Sequence, residues 1–319
     1  MHEQKIRIAF IMLCHKNPEQ INLLINKLTE FSNSDIYIHV DLKYPELRAQ
    51  INKQDNVFVI PVESSRTIRW GSIDLVEATI QLIRQVRQSN KEFDYIWLLS
   101  GQDYPVLPVK VIENYLSSHL GQNFIQTILP GDKRYNWYRK LYEMAYPTWI
   151  NSESFFVKCI KRLYILSTGG HSRTFSCYVR KKPFVFDFAF GSQWWVLTSE
   201  AAFEILDYSD SHPEILQYYK KSIIPDESFF QTIFMRGPYS EQRTGNLTFI
   251  NWKSNRRHPE ILTIKDLRLL QEKSAEFCFA RKFKYPDSFE LISKINNDFS
   301  NGIQRNDKDR MEFIDGSVQ

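Results

Sequence analysis

The sequence predicts an α/β fold built on a mostly parallel sheet with helices on both faces. Two largely apolar runs of strand length, 5–13 and 95–100, are typical of strands buried on both faces. Strand patterns also alternate with helix patterns along the chain, as crossover connections between parallel strands require. The 319 residues have ordinary globular composition, 43% hydrophobic and 24% charged, and suffice for one large domain or two small ones.

The first elements are the most regular. The run KIRIAFIML (5–13) predicts a strand, and Asn17-Pro18 predicts the start of a helix to about Phe31, because Asn is a favoured cap and Pro suits the first helical position. DIYIHVD (35–41) predicts a second strand that ends in an acid, and 56–62 predicts a third. These elements form the β-α-β beginning that a parallel sheet needs.

Helix and strand signals continue to residue 105. Ser72 is predicted to cap a helix, because apolar side chains follow it at helical spacing. These side chains are Ile73, Val76, Ile80 and Ile83. YIWLLS (95–100) predicts another buried strand, followed by a turn at 101–105.

The second half of the chain is less regular. Its patterns predict strands at 192–197, 246–252 and 278–283, a loop at 169–172, a helix capped by Ser199 with Glu200 in its first turn, and a helix opened by Pro225-Asp226-Glu227. The chain has no internal repeat and no Pro- or Gly-rich linker. We therefore predict a single domain over 1–298 and a polar, flexible tail over 299–319.

Polar side chains follow three of the predicted strands at the point where each strand ends. They are Cys14-His15-Lys16, Asp41-Leu42-Lys43 and Ser100-Gly101-Gln102-Asp103. Open parallel sheets bind ligands at the carboxyl ends of their strands. The sequence therefore predicts a ligand site at this edge of the sheet.

Composition and motifs exclude several classes of protein. The Lys and Arg residues are not concentrated in one segment, so we expect no nucleic-acid partner. The net charge of +4 suits a protein that binds an anionic ligand. The Rossmann and P-loop glycine motifs, the G-x-S-x-G elbow and zinc-ligand spacing are absent. The four cysteines form no C-x-x-C pair, and no apolar run approaches the roughly 20 residues that span a bilayer. We expect free thiols and a cytoplasmic protein.

Six motifs, in order over most of the chain, carry a family resemblance. They are HVDLK (39–43), Trp70-Gly71-Ser72, LLSGQDYPV (98–106), GSQWWVLT (191–198), PDESFFQTI (225–233) and FARKF (279–283). Together they resemble the core-2 and I-branching β-1,6-N-acetylglucosaminyltransferases, glycosyltransferase family 14, which includes peptide O-xylosyltransferases. The resemblance implies a GT-A-type, Rossmann-like domain, an inverting reaction and a UDP-sugar donor. It also implies that no divalent metal is needed. Nucleotide-sugar transferases that use a metal often hold it with an Asp-x-Asp after a strand, whereas the one Asp-x-Asp of this sequence, at 307–309, follows no predicted strand.

The resemblance places the catalytic base at Glu227, in the family's P-D-E motif. A base must take the proton of the acceptor hydroxyl while that oxygen attacks the sugar. In the first turn of a helix, the dipole would lower the pKa of Glu227 and keep the carboxylate ionised. Acids also stabilise helix N-termini without any catalytic role, and Asp226 is the next residue to test.

The diphosphate needs positive charge when no metal supplies it. The resemblance assigns this role to Lys282, in the late F-A-x-K-F segment, and to an arginine upstream. Arg243 is our candidate for that arginine. Its rivals are Arg281, Arg256, Arg257 and Lys253.

The remaining assignments concern the nucleoside and the sugars. Asp41 matches a position of the family that contacts the nucleotide, and residues 12–15, which end in His15, are expected to flank the uracil base. Asp41 could instead cap the turn that follows its strand. Asp103 is expected beside the donor sugar, or as part of a structural turn. Gln126 and Arg134 align with acceptor-contacting positions, and Trp195 is the candidate to stack on an acceptor sugar, with a core role as the alternative.

The expected function is therefore metal-independent transfer from a UDP-sugar to a glycan hydroxyl. N-acetylglucosamine is the first expectation for the donor sugar, and xylose is the alternative. A lipid-linked acceptor at the inner face of the membrane, with peripheral membrane contact, suits a protein without an anchor. A catalytically silent carbohydrate- or nucleotide-binding protein is the competing class, and the sequence does not define the oligomeric state.

Overall fold

In the part of the chain that the structure describes, the fold is organised by two sheets, one of seven strands and one of three. The structure is a computed structural model that describes residues 5–144, 180–252 and 258–300, with the short stretches 156–157, 159–160 and 162–163. The strands are β1 (Ile8–Cys14), β2 (Ser34–Val40), β3 (Val57–Val59), β4 (Tyr95–Ser100), β5 (Asp103–Pro105), β6 (Asn123–Phe124), β7 (Val196–Thr198), β8 (Arg243–Thr244), β9 (Thr248–Ile250) and β10 (Phe279–Arg281).

The larger sheet has the order β3-β2-β1-β4-β7-β6-β8. Its first four strands are parallel, β7 runs antiparallel to both of its neighbours, and β8 is parallel to β6. The smaller sheet has the order β5-β10-β9. The predicted α/β fold with a mostly parallel sheet is confirmed.

Helices connect the strands and cover the larger sheet. They are α1 (Pro18–Leu28), α2 (Leu47–Gln50), α3 (Asp74–Gln88), α4 (Val109–Ser118), α5 (Tyr135–Glu143), α6 (Ser199–Ser211), α7 (Pro213–Tyr219), α8 (Phe229–Arg236), α9 (Leu267–Lys273) and α10 (Phe289–Ser300). Short 3-10 turns occur at Val62–Ser64, Pro225–Glu227 and Ile264–Asp266.

Two apolar cores lie on opposite faces of the larger sheet. Alternate side chains of β1 enter different cores, because successive residues of a strand point to opposite faces. Phe10 packs in the core that contains the buried face of α1, while Ile11 packs in the core that contains α3 and α6. Burial of β1 on both faces explains why its sequence shows no polar alternation.

Several predicted boundaries are wrong by a few residues. Helix α1 ends at Leu28 instead of Phe31, and the strand predicted at 56–62 covers Val57–Val59. Helix α6 is capped by Thr198, whose hydroxyl accepts a hydrogen bond from the Ala201 amide, because Ser199 is already helical. Helix α3 begins at Asp74, and the Ser72 hydroxyl accepts from the Asp74 amide as a capping side chain would.

Two differences matter more for function. Residues 103–105, predicted as part of a turn, form β5, which pairs antiparallel with β10 far along the chain. Pro225-Asp226-Glu227 forms a 3-10 turn that ends before α8 instead of the first turn of that helix.

Some predictions lie outside the described residues. They concern the loop at 169–172, Cys177, Lys253, Arg256, Arg257, the acidic motif at 307–309 and nearly all of the tail predicted at 299–319. The domain boundary at 298 therefore stays a prediction. Among the described cysteines, Cys14 and Cys278 are buried free thiols, whereas Cys159 is exposed.

Candidate active site

The carboxyl ends of β1 and β2 meet the segment that follows β10. The Asp41 amide donates to the Cys14 carbonyl at 2.9 Å, which sets Asp41 beside the residues after β1. The Asn17 side-chain amide donates to the Tyr285 carbonyl at 2.7 Å, which ties the start of α1 to the chain after β10. His15, Asp41 and Lys282 therefore lie in one cluster, as the sequence predicts.

His15 is electrostatically unusual within this cluster. Burial, reinforced by the positive charge of Lys16, lowers the pKa of His15 to about 4, although Asp41 opposes the change. Lys282 also contributes to this effect. The imidazole is thus neutral near pH 7, so one ring nitrogen can donate a hydrogen bond and the other can accept one.

Asp41 has a structural role in the same cluster. Its Oδ1 accepts hydrogen bonds from the backbone amides of Lys43 at 3.0 Å and Ile68 at 3.2 Å. The carboxylate therefore caps the turn after β2 and holds the loop that precedes α3. Contact with the nucleotide stays a prediction for this residue.

Asp103 lies in a buried ion pair. It is fully buried, its Oδ2 accepts from the Ser100 amide at 2.6 Å, and its Oδ1 lies 3.6 Å from Nη1 of Arg281. Burial raises the pKa of the Asp103 carboxyl, while Arg281 acts in the opposite direction. The guanidinium of Arg281 sits 4.0 Å from the centroid of the Trp194 ring. Asp103 thus holds Arg281, and contact with a donor sugar stays a prediction.

A large cleft opens beside the edges of both sheets. Its volume is about 800 Å³. Its lining includes Gln126, Arg134, Tyr138, Gly191, Ser192, Glu227, Trp252 and the stretch 244–250. The structure therefore brings the predicted base together with two of the residues that were predicted to contact the acceptor.

Arg281 and Trp194 lie between the cleft and the strand-end cluster. Arg281 precedes Lys282 and is the register partner of Ile250, which lines the cleft. The Trp194 amide donates to the hydroxyl of Ser192, another residue of the cleft lining. The two regions are thus neighbouring parts of one site.

An unusual backbone conformation presents Glu227 to the cleft. Ile224, directly before the P-D-E turn, has φ 50° and ψ 52°, a left-handed conformation that is rare for a β-branched residue. Its amide donates to the Gly71 carbonyl at 2.9 Å, and its carbonyl accepts from the Tyr142 hydroxyl at 2.6 Å. These bonds hold a conformation that costs about 1–2 kcal/mol in an unconstrained chain. Such outliers concentrate at functional sites.

The pKa of Glu227 is raised, so the predicted direction is wrong. Burial first, and then the neighbouring Asp226 carboxylate, raise the pKa of Glu227 to about 7. Burial raises the pKa of Asp226 to about 7 as well, and Asp226 Oδ1 has no hydrogen-bond partner among the described residues. The helix dipole was expected to lower the pKa, but Glu227 precedes α8 instead of lying in its first turn. A base with a pKa near the working pH combines ionisation with proton affinity.

A buried network joins the P-D-E-S-F-F-Q-T segment to the chain at 189–192. The Ser228 hydroxyl donates to the Ala189 carbonyl at 3.0 Å, and the Gln231 side-chain amide donates to the Ser192 carbonyl at 2.7 Å. The Gly191 amide donates to the Glu227 carbonyl at 2.9 Å. Sequence reasoning missed these supporting residues, although they occur within two of the quoted motifs.

We expect Gly191→Ala to lower stability and activity together. A Cβ on Gly191 would lie 2.0 Å from the Gln126 carbonyl oxygen, so backbone must move at the point that anchors Glu227. Overpacking of this kind costs about 1–3 kcal/mol. Thermal unfolding and transfer rate should both fall. Gly245→Ala is the control for stability, because a Cβ there meets nothing within 4 Å. Equal stability of the two variants would contradict the close approach at Gly191.

Gln126 and Arg134 reach the cleft by different means. The Gln126 side-chain oxygen accepts from the Ser192 amide at 3.1 Å, while Arg134 makes two side-chain hydrogen bonds to the Asp132 carboxylate at 2.8 and 3.1 Å. Tyr138, which the sequence analysis did not single out, stacks on Phe190. Burial raises the pKa of the Tyr138 hydroxyl, and the nearby Glu227 carboxylate raises it further. Acceptor contact by Gln126 and Arg134 stays a prediction.

The stacking role predicted for Trp195 is wrong. Only 1% of Trp195 is exposed, and its ring packs against Phe230 at 5.4 Å in the core. Trp194 is also buried, with 6% exposed and its ring beneath Arg281. The strand predicted at 192–197 begins only at Val196, so neither ring lies in β7. Both rings belong to the same apolar core, and neither offers an open face to a sugar.

Arg243 fastens the edge of the larger sheet. Its Nε donates to the Thr127 hydroxyl at 3.2 Å, and its Nη1 donates to the Ser240 carbonyl. Among the described residues, these side-chain contacts of Arg243 involve neither Lys282 nor the strand-end cluster. The diphosphate role of Arg243 stays a prediction.

The family follows from comparison with known proteins. The model of the Core-2/I-Branching enzyme family matches residues 8–272. The chain belongs to this family. The resemblance seen in the motifs is confirmed, and the family is one of glycosyltransferases.

Individual relatives carry xylosyltransferase names. Xylosyltransferase 1 of Homo sapiens is 24% identical over 318 residues, with 93% of this chain and 31% of that protein covered. Xylosyltransferase 2 of Rattus norvegicus is 25% identical over 314 residues, with 91% and 33% covered. Xylosyltransferase sqv-6 of Caenorhabditis briggsae is 25% identical over 259 residues, with 77% and 29% covered. The chain thus spans about a third of the length of these curated relatives.

One solved structure is a distant match. Mouse xyloside xylosyltransferase 1 in its apo form aligns with a TM-score of 0.36 and 11% identity, over 77% of this chain and 89% of that one. Among the described residues no group of three or more His, Cys, Asp and Glu side chains is placed to hold a metal ion. None of the described helices has both the length and the apolar character of a membrane span.

Proposed function

We propose that the protein is an inverting glycosyltransferase that uses a UDP-sugar and needs no divalent metal. The observation that carries the proposal is the partly buried carboxylate of Glu227 in a cleft of about 800 Å³, next to a cationic cluster at the strand ends. The nucleoside binds beside His15 and Asp41, the diphosphate near Lys282, and the acceptor in the cleft with Gln126 and Arg134.

Transfer proceeds in a single displacement. Glu227 takes the proton of the acceptor hydroxyl as that oxygen forms its bond to the anomeric carbon. The bond from the anomeric carbon to the β-phosphate oxygen breaks, and its electron pair leaves with UDP. Lys282 stabilises the charge that develops there, which is the role that a metal ion would otherwise fill.

We expect turnover to survive removal of divalent metals. Lys282 has no acidic neighbour within ion-pair distance among the described residues, so its charge is available to the diphosphate. The rate with EDTA should stay within about threefold of the rate with added manganese, because a side-chain cation supplies the charge-assisted contact. A hundredfold dependence on metal would refute the metal-independent mechanism.

We also expect an acidic limb in the pH profile. Glu227 must be ionised to accept a proton, and its pKa is raised to about 7, so the rate should fall as the pH drops below about 7. Asp226→Asn removes a carboxylate that raises the pKa of Glu227, so the limb should move to lower pH. A profile that is flat from about pH 5 to 8 would exclude a base with this raised pKa.

The donor sugar and the acceptor are the least constrained parts of the proposal. N-acetylglucosamine follows from the motif resemblance, whereas the names of the relatives favour xylose. A glycan acceptor, lipid-linked at a membrane surface, is our proposal for the second substrate, and a cytoplasmic location stays a prediction. Rates measured side by side with UDP-xylose and UDP-N-acetylglucosamine decide between the donors. A protein that binds UDP-sugars but never releases UDP would be the catalytically silent alternative.

A further inference from the structure

Lys16 lies beside the segment that carries Lys282. Asn17 follows Lys16 and adopts a left-handed conformation, with φ 63°, at the cap of α1. Its side chain bonds in two directions: Oδ1 accepts from the Gln20 amide at 3.1 Å, and Nδ2 donates to the Tyr285 carbonyl at 2.7 Å. This double contact fixes the end of the β1 segment, and so the position of Lys16, against 282–285.

The other cations of this region have acidic partners. Lys284 pairs with Asp287 at 2.8 Å. Arg281 lies 3.6 Å from Asp103, and Lys43 lies 4.0 Å from Asp41. These contacts neutralise the three positive charges that surround Lys282 and His15.

Lys16 and Lys282 differ from those cations. In the part of the chain that the structure describes, neither side chain forms an ion pair, and Glu19 in the first turn of α1 is paired with neither of them. Burial and the charge of Arg281 are the two largest causes that lower the pKa of Lys282. Lys16 is close enough to lower this pKa further. Two unneutralised like charges side by side repel, so the arrangement is stabilised when an anion lies between them.

We propose that Lys16 and Lys282 form a two-lysine clamp for the diphosphate of the nucleotide, with Lys16 as its second cation. The inference rests on the proposed function and adds a residue to it. Lys282 is partly buried and approaches from the β10 side, whereas Lys16 is exposed and approaches from the β1 side. A diphosphate between them meets positive charge from two directions, as it would when bridged by a metal ion.

The clamp contributes most when the donor bond breaks. The electron pair of the bond between the anomeric carbon and oxygen moves to the β-phosphate, whose negative charge therefore increases. The acceptor proton goes to Glu227 in the same displacement. Lys16 and Lys282 stay protonated throughout, so they stabilise charge and transfer no proton.

Calorimetry with UDP and with uridine tests the clamp. Lys16→Ala should weaken UDP binding by about 10- to 100-fold, the loss expected for a charge-assisted contact, and leave uridine binding unchanged. Lys16→Arg keeps the charge and should retain most of the affinity. Lys284→Ala is the matched control, because Lys284 is already paired with Asp287 and should change UDP binding by no more than about twofold.

The outcomes separate the clamp from the proposed function. If the wild-type protein binds UDP and Lys16→Ala binds it equally well, the clamp is wrong and the proposed function stands. If Lys16→Ala weakens UDP and uridine alike, Lys16 does not contact the diphosphate. If the wild-type protein binds neither ligand, both proposals fail. Unfolding temperatures of all variants confirm that the exposed side chain at 16 is not needed for folding.

Discussion

Glu227→Gln should lower the transfer rate by about 10²–10⁴-fold, the usual contribution of a positioned base. The amide keeps the size and polarity of the side chain but cannot accept a proton. UDP affinity should change little, because Glu227 lines the cleft proposed for the acceptor, whereas the diphosphate is proposed to bind at Lys282 in the neighbouring strand-end cluster. Initial rates under saturating donor, together with UDP calorimetry, measure the two effects separately.

Stability distinguishes a base from a structural acid at this position. The pKa of Glu227 is raised in the folded protein, so its ionisation opposes folding as the pH rises from about 4.5 through about 7. Glu227→Gln removes that ionisation and should be at least as stable as the wild type at pH 8. Glu241→Gln, at an exposed carboxylate outside the cleft lining, is the control and should match the wild-type rate. A Glu227→Gln variant that loses stability and keeps more than about a tenth of the rate would assign Glu227 a structural role.

Lys282→Ala is the second change with a large expected effect. It should weaken UDP binding by about 1.5–3 kcal/mol, the range for losing a hydrogen bond to a charged group. The rate should fall further, by about 10²-fold, since the diphosphate gains charge in the transition state. The next residue, Phe283, is buried and should keep the backbone at 282 in place when the lysine is replaced.

Comparison of two ligands identifies what Lys282 contacts. Uridine lacks phosphate and should bind Lys282→Ala as well as it binds the wild type. Lys294→Ala is the control, because Lys294 pairs with Asp298 at 2.8 Å on α10. Equal losses for UDP and uridine would show that the lysine acts through the nucleoside or through the fold.

Local sequence patterns predict the parts of this fold that local interactions determine. β4 is predicted to the residue, because YIWLL is an unbroken hydrophobic run and polar residues begin at Ser100. β5 was missed, since its three residues become a strand only through pairing with β10, more than 170 positions away. Fragments such as β6 and β8, with two residues each, are likewise set by their partners.

The sequence predicts where the candidate residues lie better than it predicts their electrostatics. The structure places His15, Asp41 and Lys282 in one cluster and Glu227 in the neighbouring cleft, while their roles stay predictions. The direction of the Glu227 pKa was missed, because it depends on burial and on Asp226 within a 3-10 turn that the sequence does not reveal. Trp195 was misassigned because the strand predicted at 192–197 begins only at Val196, and both tryptophans pack in one core.

The central claim is tested most directly by incubating the purified protein with a panel of UDP-sugars in EDTA and measuring both binding and UDP release. With candidate acceptors present, we expect at least one UDP-sugar to bind and to be consumed by the wild type. We expect the same donor to bind Glu227→Gln with unchanged affinity and to release UDP at least about 100-fold more slowly. Absence of UDP-sugar binding by the wild-type protein, or equal UDP release by the two proteins, would contradict the account.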